Sequence, residues 1–510
     1  MEVCDDKGKV IPGVISMGPG YEDKNSFGSV VYRHDGKPRW NEVVKVTLQD
    51  QRYEDCHIRF TFTHRSRKDQ YNPPYAMSFL KLNTDEGTTI EDAEHKLAVY
   101  KIENKRVDIK NNPFYLSDEM QSHKDKVQGK DRKDNGLTFI QKDVFTVTTI
   151  LASTQLTQNE GLLSLLRWKE VPKHELENCI RNFEKKILVQ EFVKKLSDVL
   201  DSLLLILQEE GNNMKLDQRV FIQMFKLILQ IVDDNSKFKH FIPALESYIE
   251  ETFCQTLAYK KLLEVLKEYL EDYDKNATDF STVTKSLRYV FKLVVQSRLL
   301  YVNHMAGDGQ EEFEEELKEV LGRIVILMHI QTTGNKTLNN AQRDCLKQMV
   351  WALPDLQKVY GNAELAEIMK KMINALPQDT YLDEAKINAI KELVQSPLFV
   401  IDECREILLP SMASHIEDFL KRGQNPAQLA TVALGEILDK LNSIERTDAD
   451  MNELMHKCLR TLIQNVANRQ SDDENTKAIV SNLICLLHQM TEKNYESYIS
   501  TFNGFDLKNR

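Results

Sequence analysis

Residues 36–69, GKPRWNEVVKVTLQDQRYEDCHIRFTFTHRSRKD, decide the fold of the first part of this chain. Apolar and polar residues alternate over residues 42–48 and again over residues 57–63, which is the period of half-buried strands. We therefore predict two strands joined by a loop through Asp50 and Asp55. The second strand runs into a basic loop tip at residues 65–68.

Further strand signals surround this pair. Segments rich in β-branched or aromatic residues and bounded by turn residues lie at 9–16, 27–33, 74–82, 96–101 and 144–151. About seven strands with this spacing are typical of an antiparallel β-sandwich. Residues 117–136 are polar and without periodicity, and their acids largely cancel their basic charge, so we predict a flexible insertion in preference to a lipid contact.

From residue 162 onward the apolar period is helical. One face of a first long helix carries Leu188, Phe192, Leu196, Val199, Leu203 and Leu207. Residues 220–232 are apolar nearly all round, which is typical of an inner helix. Further helices are predicted at 252–270, 282–302, 313–329, 339–351, 363–373, 384–393, 403–421, 426–441, 450–466 and 475–490, with Pro354 among the predicted breaks. This succession predicts an α-solenoid of armadillo or HEAT type.

The 510-residue chain has a net charge of −11 that is unevenly distributed. Residues 1–170 contain 26 basic and 26 acidic residues, which leaves 41 basic and 52 acidic residues for the remainder. Nucleic acid and anionic lipid repel the acidic remainder, so any membrane contact is expected from the first part.

The chain has eight scattered cysteines without a CxxC, an acidic start and no long apolar run. These features predict a cytoplasmic protein with reduced, buried thiols.

The common catalytic motifs are missing from the sequence, and we expect neither a cofactor nor a catalytic residue. His57 and His64 stand near the two ends of one predicted strand, where a partly exposed structural histidine is expected. Asp50, Asp55 and Asp69 would suit calcium, but cations beside Asp69 oppose a further cation, so we predict no metal site. Trp40, Trp168 and Trp351 are assigned to packing.

Several long segments, in the same order, resemble one family. They are PRWNEVVKV (38–46), HIRFTFTHRSRKD (57–69), DEGTTIEDAEHKLAVYK (85–101), STQLTQNEGLLSLLRWK (153–169), CREILLP (404–410) and ISTF (499–502). These resemble the C2-type lipid-binding region and the following helical segment of the DOCK (dedicator of cytokinesis) exchange factors, most closely the Rac-directed subgroup. The resemblance implies a calcium-independent C2-type sandwich at residues 1–155, lacking its first strand and so leaving an unpaired sheet edge. An armadillo-like solenoid is expected at residues 156–510.

The resemblance also implies a binding site. In the family, basic residues of two neighbouring loops surround the head group of phosphatidylinositol 3,4,5-trisphosphate, and the loop before Tyr71 resembles one of them. Arg65, Arg67 and Lys68 are the predicted head-group ligands, because guanidinium forks bind phosphate in a bidentate manner. Tyr71 and Tyr75 are candidate membrane contacts. A plain solvated loop is the alternative.

The predicted function is that of a non-catalytic recruitment and scaffold portion of a Rac-class guanine nucleotide exchange factor, cytoplasmic and recruited peripherally to the plasma membrane. The resemblance implies that exchange and binding of the ELMO adaptor belong to other parts of the parent protein. It also allows a homodimer of the full-length parent. One competing interpretation is a protein-interaction scaffold without lipid binding. Another is that only the solenoid folds, because the sandwich lacks a strand.

Overall fold

The computed structural model describes residues 1–48, 56–65, 73–85, 87–103, 109–110, 113–116, 118–128, 133–134, 136–153, 156–209, 213–271, 277–304, 309–331, 335–377, 380–422, 424–467 and 474–502. The chain divides into two compact units, Met1–Lys195 and Leu196–Arg510. The first unit contains the strands together with the first helices that follow them. The predicted domain boundary after residue 155 therefore lies inside this unit and stays a prediction.

An antiparallel sheet forms the centre of the first unit. The strands are β1 (Glu2–Cys4), β2 (Ile15–Ser16), β3 (Lys45–Val46), β4 (His57–Phe62), β5 (Ala76–Lys81), β6 (Glu94–Ile102), β7 (Lys133–Asp134) and β8 (Leu137–Thr148). Six of them form one sheet in the order β1-β4-β5-β6-β8-β7, while β2 and β3 form a two-stranded ribbon. The predicted antiparallel β architecture is confirmed, with β1 and β7 at the sheet edges.

Apolar side chains cover both faces of the six-stranded sheet. On one face Ile58 and Phe60 join a cluster that includes residues of the β2–β3 ribbon. On the other face Phe79 and Tyr100 pack with Ile109, Tyr115 and Met120. Successive residues of a strand point to opposite faces, so most residues of both faces are buried in the central strands β4 and β5.

One prediction about the strands is wrong. Residues 27–33 form no strand: Val30 and Val31 are 58% and 68% exposed. The backbone there is held by irregular bonds, such as the one that the Trp40 indole donates to the Val30 carbonyl. β3 pairs with β2, whereas β4 pairs with β1 and β5, so the two strands of the opening stretch are not neighbours. Periodicity identifies a strand but leaves its partner undetermined.

The predicted flexible insertion at residues 117–136 contains regular structure. It includes α1 (Asp118–Gln121), α2 (His123–Gln128) and β7. Met120 is buried in the second apolar cluster, and its carbonyl accepts a hydrogen bond of 2.8 Å from the Tyr100 hydroxyl. The flexibility of this insertion stays a prediction, and one apolar residue among polar neighbours gives no periodic signal for these elements.

Arg59, in the middle of β4, is the largest fully buried side chain of the first unit. Its guanidinium pairs with the Glu2 carboxylate at 2.8 Å and donates to the carbonyls of Gly8, at 3.0 Å, and Ile109, at 2.8 Å. The sequence pattern placed Arg59 on the polar face of a half-buried strand. The structure shows that a buried cation with several acceptors connects three separate segments of the unit.

Three helices complete the first unit: α3 (Glu160–Leu166), α4 (Leu176–Lys186) and α5 (Val189–Lys194). Asn159 begins α3, because its side chain accepts a hydrogen bond from the Leu162 amide. Gly161 allows α3 to approach α4 closely. A Cβ atom at that position would lie 3.1 Å from the Asn182 carbonyl oxygen.

The second unit consists of helices. They are α6 (Leu196–Leu207), α7 (Met214–Val232), α8 (Ile242–Ser247), α9 (Ala258–Glu271), α10 (Ala277–His304), α11 (Gln310–His329), α12 (Lys336–Leu356), α13 (Asn362–Ala375), α14 (Thr380–Gln395), α15 (Pro397–Val400), α16 (Asp402–Arg422), α17 (Gln424–Ser443), α18 (Asp448–Leu454), α19 (Arg460–Ala467), α20 (Glu474–His488) and α21 (Glu492–Phe502). Short π-helical turns, Tyr248–Thr252 and Met455–Leu459, interrupt the series.

Contacts between helices skip one or two helices along the chain. One row consists of α10, α12, α14, α17 and α20, each packed on the next member, and the other consists of α9, α11, α13, α16 and α19. Consecutive helices connect the two rows, as α9 and α10 or α16 and α17 do. Two parallel rows of this kind are the architecture of an α-solenoid, which confirms the predicted fold class.

Helix periodicity located most of these elements, and α7 has the predicted apolar core face. Pro354 was expected at a break, yet it lies inside α12, and Pro410 lies inside α16. Burial of both helices against neighbours outweighs the local cost of proline. The final helix, α21, carries tyrosines and serines without a clear apolar period and was not predicted.

Arg405, from the CREILLP segment, is fully buried within the second unit. Its Nε lies 3.0 Å from Asp450, and a terminal nitrogen lies 2.7 Å from Asp402. Asp450 also belongs to a capping box with Thr447 at the start of α18. This ion-pair group fixes the end of α15, the start of α16 and the start of α18.

All eight cysteines are free thiols, and most of them are buried as predicted, but Cys254 is exposed. Across the part of the chain that the structure describes, no helix is long and apolar enough to cross a bilayer.

We expect Arg59→Ala to destabilise the first unit by about 3 kcal/mol, because the Glu2 carboxylate and two buried carbonyls lose their donor. Urea denaturation measures the loss of stability, and hydrogen exchange at residues 57–62 measures the loss of protection in β4. The matched control is Lys96→Ala, which removes an exposed cation from the same sheet and is expected to change stability by less than about 0.5 kcal/mol. Equal effects of the two substitutions would contradict the structural role of Arg59.

Candidate functional site

The predicted lipid-binding loop follows β4, at the end of the β4–β5 pair. Phe62 lies opposite Ala76 in the antiparallel register, and the Tyr75 amide donates to the Phe62 carbonyl at 2.9 Å. Ile102 of β6 donates in turn to the Tyr75 carbonyl at 2.9 Å. The base of the loop is therefore anchored to three strands of the sheet.

Two aromatic rings stack at this base. The rings of His64 and Tyr75 lie 4.2 Å apart and are nearly parallel, at 10°. Tyr75 remains 43% exposed, and Arg65, the next residue after His64, is exposed. This stack could not be predicted from the sequence, because it depends on the register between β4 and β5.

Of the predicted site residues, the structure describes Arg65 and Tyr75 and brings both to the same end of the sheet. Arg67, Lys68 and Tyr71 lie outside the described residues. The candidate calcium ligands Asp50, Asp55 and Asp69 lie outside them as well. Within the described ranges no group of three or more His, Cys, Asp or Glu side chains is arranged to hold a metal ion.

The opposite end of β4 is fixed by His57. Its Nε2 lies 2.9 Å from the Tyr115 hydroxyl, and the imidazole is only 1% exposed, so the expectation of a partly exposed histidine was wrong. Burial, together with the positive charge of Arg59, lowers the pKa of His57 to about 4. Burial raises the pKa of Tyr115 to about 12, so the pair is neutral at pH 7.

This arrangement presents an exposed cation. Arg65 lies three residues beyond the end of β4, whose other end is buried. A guanidinium has a planar set of donors that matches phosphate oxygens. The described part of the site therefore places one exposed guanidinium at one end of the β-sheet.

Two family profiles match almost the whole chain. Residues 1–161 match the C2 domain in Dock180 and Zizimin proteins, and residues 173–508 match the dedicator of cytokinesis (DOCK) TPR region. The chain belongs to the DOCK family. The DOCK matches cover both structural classes found here, the antiparallel sheet and the rows of helices.

Individual relatives agree with this assignment. Dedicator of cytokinesis protein 4 from Homo sapiens is 29% identical over 99% of this chain, and dedicator of cytokinesis protein 3 from Mus musculus is 30% identical over 98% of it. The matched parts amount to 26% and 25% of those relatives. This DOCK chain thus spans about a quarter of the length of the curated relatives it matches.

Because the pKa of His57 lies near 4 in the folded protein and near 6.5 when unfolded, the unfolded state binds more protons between these values. The contribution of neutral His57 to stability is therefore complete above pH 6.5 and is lost as the pH falls toward 4. We expect the stability difference between the wild type and His57→Gln to shrink by on the order of 2 kcal/mol between pH 7 and pH 4.5. Denaturant titrations at both pH values measure it, and a constant difference would contradict the assignment.

Proposed function

We propose that this chain is the membrane-recruitment and scaffold portion of a DOCK-type guanine nucleotide exchange factor for Rac-class GTPases. In this proposal its C2-type unit binds phosphatidylinositol 3,4,5-trisphosphate and its helical unit acts as a spacing arm. The observation that carries the proposal is the order of the two family matches, C2 domain followed by TPR region, over nearly the full chain.

The lipid part of the proposal rests on charge and position. Arg65 is exposed beyond a buried strand, and Arg67 and Lys68 follow it in the sequence. Near an anionic membrane each cation contributes about 1 kcal/mol, so three of them supply an appreciable attraction. Tyr71 and Tyr75 follow these cations in the sequence and are suited to the membrane interface. Recruitment would be peripheral, at the plasma membrane.

The exchange reaction is assigned to the rest of the parent protein. The matched DOCK regions are a C2 domain and a TPR region, and the chain corresponds to about a quarter of its relatives. We propose that the GTPase and the ELMO adaptor bind elsewhere in the parent, and that any homodimer forms in the full-length protein. The competing function is a protein-interaction scaffold, which the long helical unit would also suit.

Vesicle sedimentation tests the lipid proposal. We expect the chain to bind vesicles that contain phosphatidylinositol 3,4,5-trisphosphate, and the triple variant Arg65→Ala, Arg67→Ala, Lys68→Ala to bind at least tenfold more weakly. Three lost cations correspond to about 3 kcal/mol at the membrane surface. Binding should also weaken as salt is raised, because the attraction is electrostatic.

The chain offers a matched control. Arg33→Ala, Lys37→Ala, Arg39→Ala removes two arginines and one lysine that are all exposed in the same unit. An equal loss in this control would indicate general attraction without a head-group site. No binding by the wild type, or unchanged binding by the first triple variant, would favour the scaffold.

A nucleotide-release assay tests the assignment of catalysis. We expect this chain to leave the rate of nucleotide release from Rac unchanged at micromolar concentration, while EDTA, which removes Mg²⁺, accelerates release in the same samples. Acceleration that depends on the concentration of the chain would refute the non-catalytic assignment.

A further inference from the structure

We propose that a recess on the row α10, α12, α14 and α17 binds an extended peptide segment through its main chain. The recess has a volume of about 560 Å³, and its lining includes Arg288, Trp351, Pro354, Lys391, Glu392 and Glu436. These residues come from all four helices, and the site lies entirely within the second unit. The proposal does not depend on lipid binding by the first unit.

Two polar atoms of the lining carry the inference. Arg288 Nε is a donor, Glu392 Oε2 is an acceptor, and both are buried without a hydrogen-bond partner among the described residues. A buried polar group without a partner costs about 1–3 kcal/mol, so most such groups in folded proteins are satisfied. The remainder of both side chains is partly exposed, and a change in side-chain torsion can bring each atom to an entering ligand.

The other charges at the recess already have partners. Lys391 pairs with Glu436 at 3.0 Å, and a terminal nitrogen of Arg288 lies 3.6 Å from Glu246. Glu392 accepts a hydrogen bond from Trp351, while burial raises the pKa of its carboxyl group. What remains in the lining of the recess is one donor, on Arg288, and one acceptor, on Glu392. A peptide main chain supplies the matching pair, a carbonyl for Arg288 and an amide for Glu392.

Trp351 provides the apolar part of the site. Its indole is partly exposed and lies between two cations, with Lys347 Nζ at 4.4 Å and the Arg288 guanidinium at 6.0 Å from the ring centroid. Pro354 is exposed beside it. A rigid aromatic surface suits one aliphatic or proline side chain of an extended segment. The volume lies within the usual range for ligand sites and accommodates a few residues.

The probe is a phage-displayed library of random linear dodecapeptides, selected on the full chain. Affinities of enriched synthetic peptides are then measured by calorimetry and by tryptophan fluorescence. The glutamine amide has one oxygen and one NH2 group where the carboxylate has two oxygens, so in either orientation one acceptor is replaced by a donor. We therefore expect Glu392→Gln to weaken binding by about tenfold. The matched control is Glu436→Gln, whose carboxylate already has a partner, and we expect less than a twofold change.

A second arm separates a lost contact from a disturbed fold. N-methylation of single backbone amides along an enriched peptide removes one N–H donor at a time. At one position we expect methylation to weaken binding to the wild type about tenfold but to weaken binding to Glu392→Gln only slightly. Such non-additivity in a double-mutant cycle indicates that the two groups interact. Thermal unfolding of both variants checks the fold. The proposal is overturned if no peptide is enriched, or if enriched peptides bind Glu392→Gln as tightly as the wild type. It is also overturned if light scattering shows that a second copy of the chain occupies the recess.

Discussion

The first unit depends on the burial of one guanidinium. Moving the charge of Arg59 out of water costs several kcal/mol, and only a set of well-placed acceptors offsets it. Those acceptors come from Glu2, Gly8 and Ile109, which are distant in sequence. The sheet can bury β4 only when the N-terminal segment and the segment after β6 are both in position. This requirement makes the folding of the edge strand β1, the central strand β4 and the segment that contains Ile109 cooperative.

Sequence periodicity predicted the elements whose signal is local. Strands β4, β5, β6 and β8 and most helices were found, because their apolar faces follow the period of the backbone. Residues 27–33 are rich in β-branched and aromatic residues but pair with no strand, so composition alone led to a wrong strand there. The packing around Met120 and the continuation of α12 through Pro354 depend on tertiary contacts that one sequence does not display.

The candidate site was predicted in a different way. Alternation placed Arg65 at the end of a strand, and the structure agrees. Its assignment to a phospholipid head group came only from the resemblance to DOCK proteins, since three cations in a loop are equally typical of a solvated surface. The recess around Trp351 could not be foreseen, because Arg288 and Glu436 are separated by more than a hundred residues and meet only through the rows of helices.

The alternation of rows in the helical unit has a mechanical consequence. Each helix packs mainly on its nearest neighbours in the two rows, so the interactions that hold the unit together are nearly one-dimensional. A load applied at one end is divided into small rotations at every interface, and no single interface has to open. The ion-pair group of Arg405 joins three helix ends and therefore resists such rotation locally. Bending of the unit would therefore concentrate on either side of the Arg405 ion-pair group.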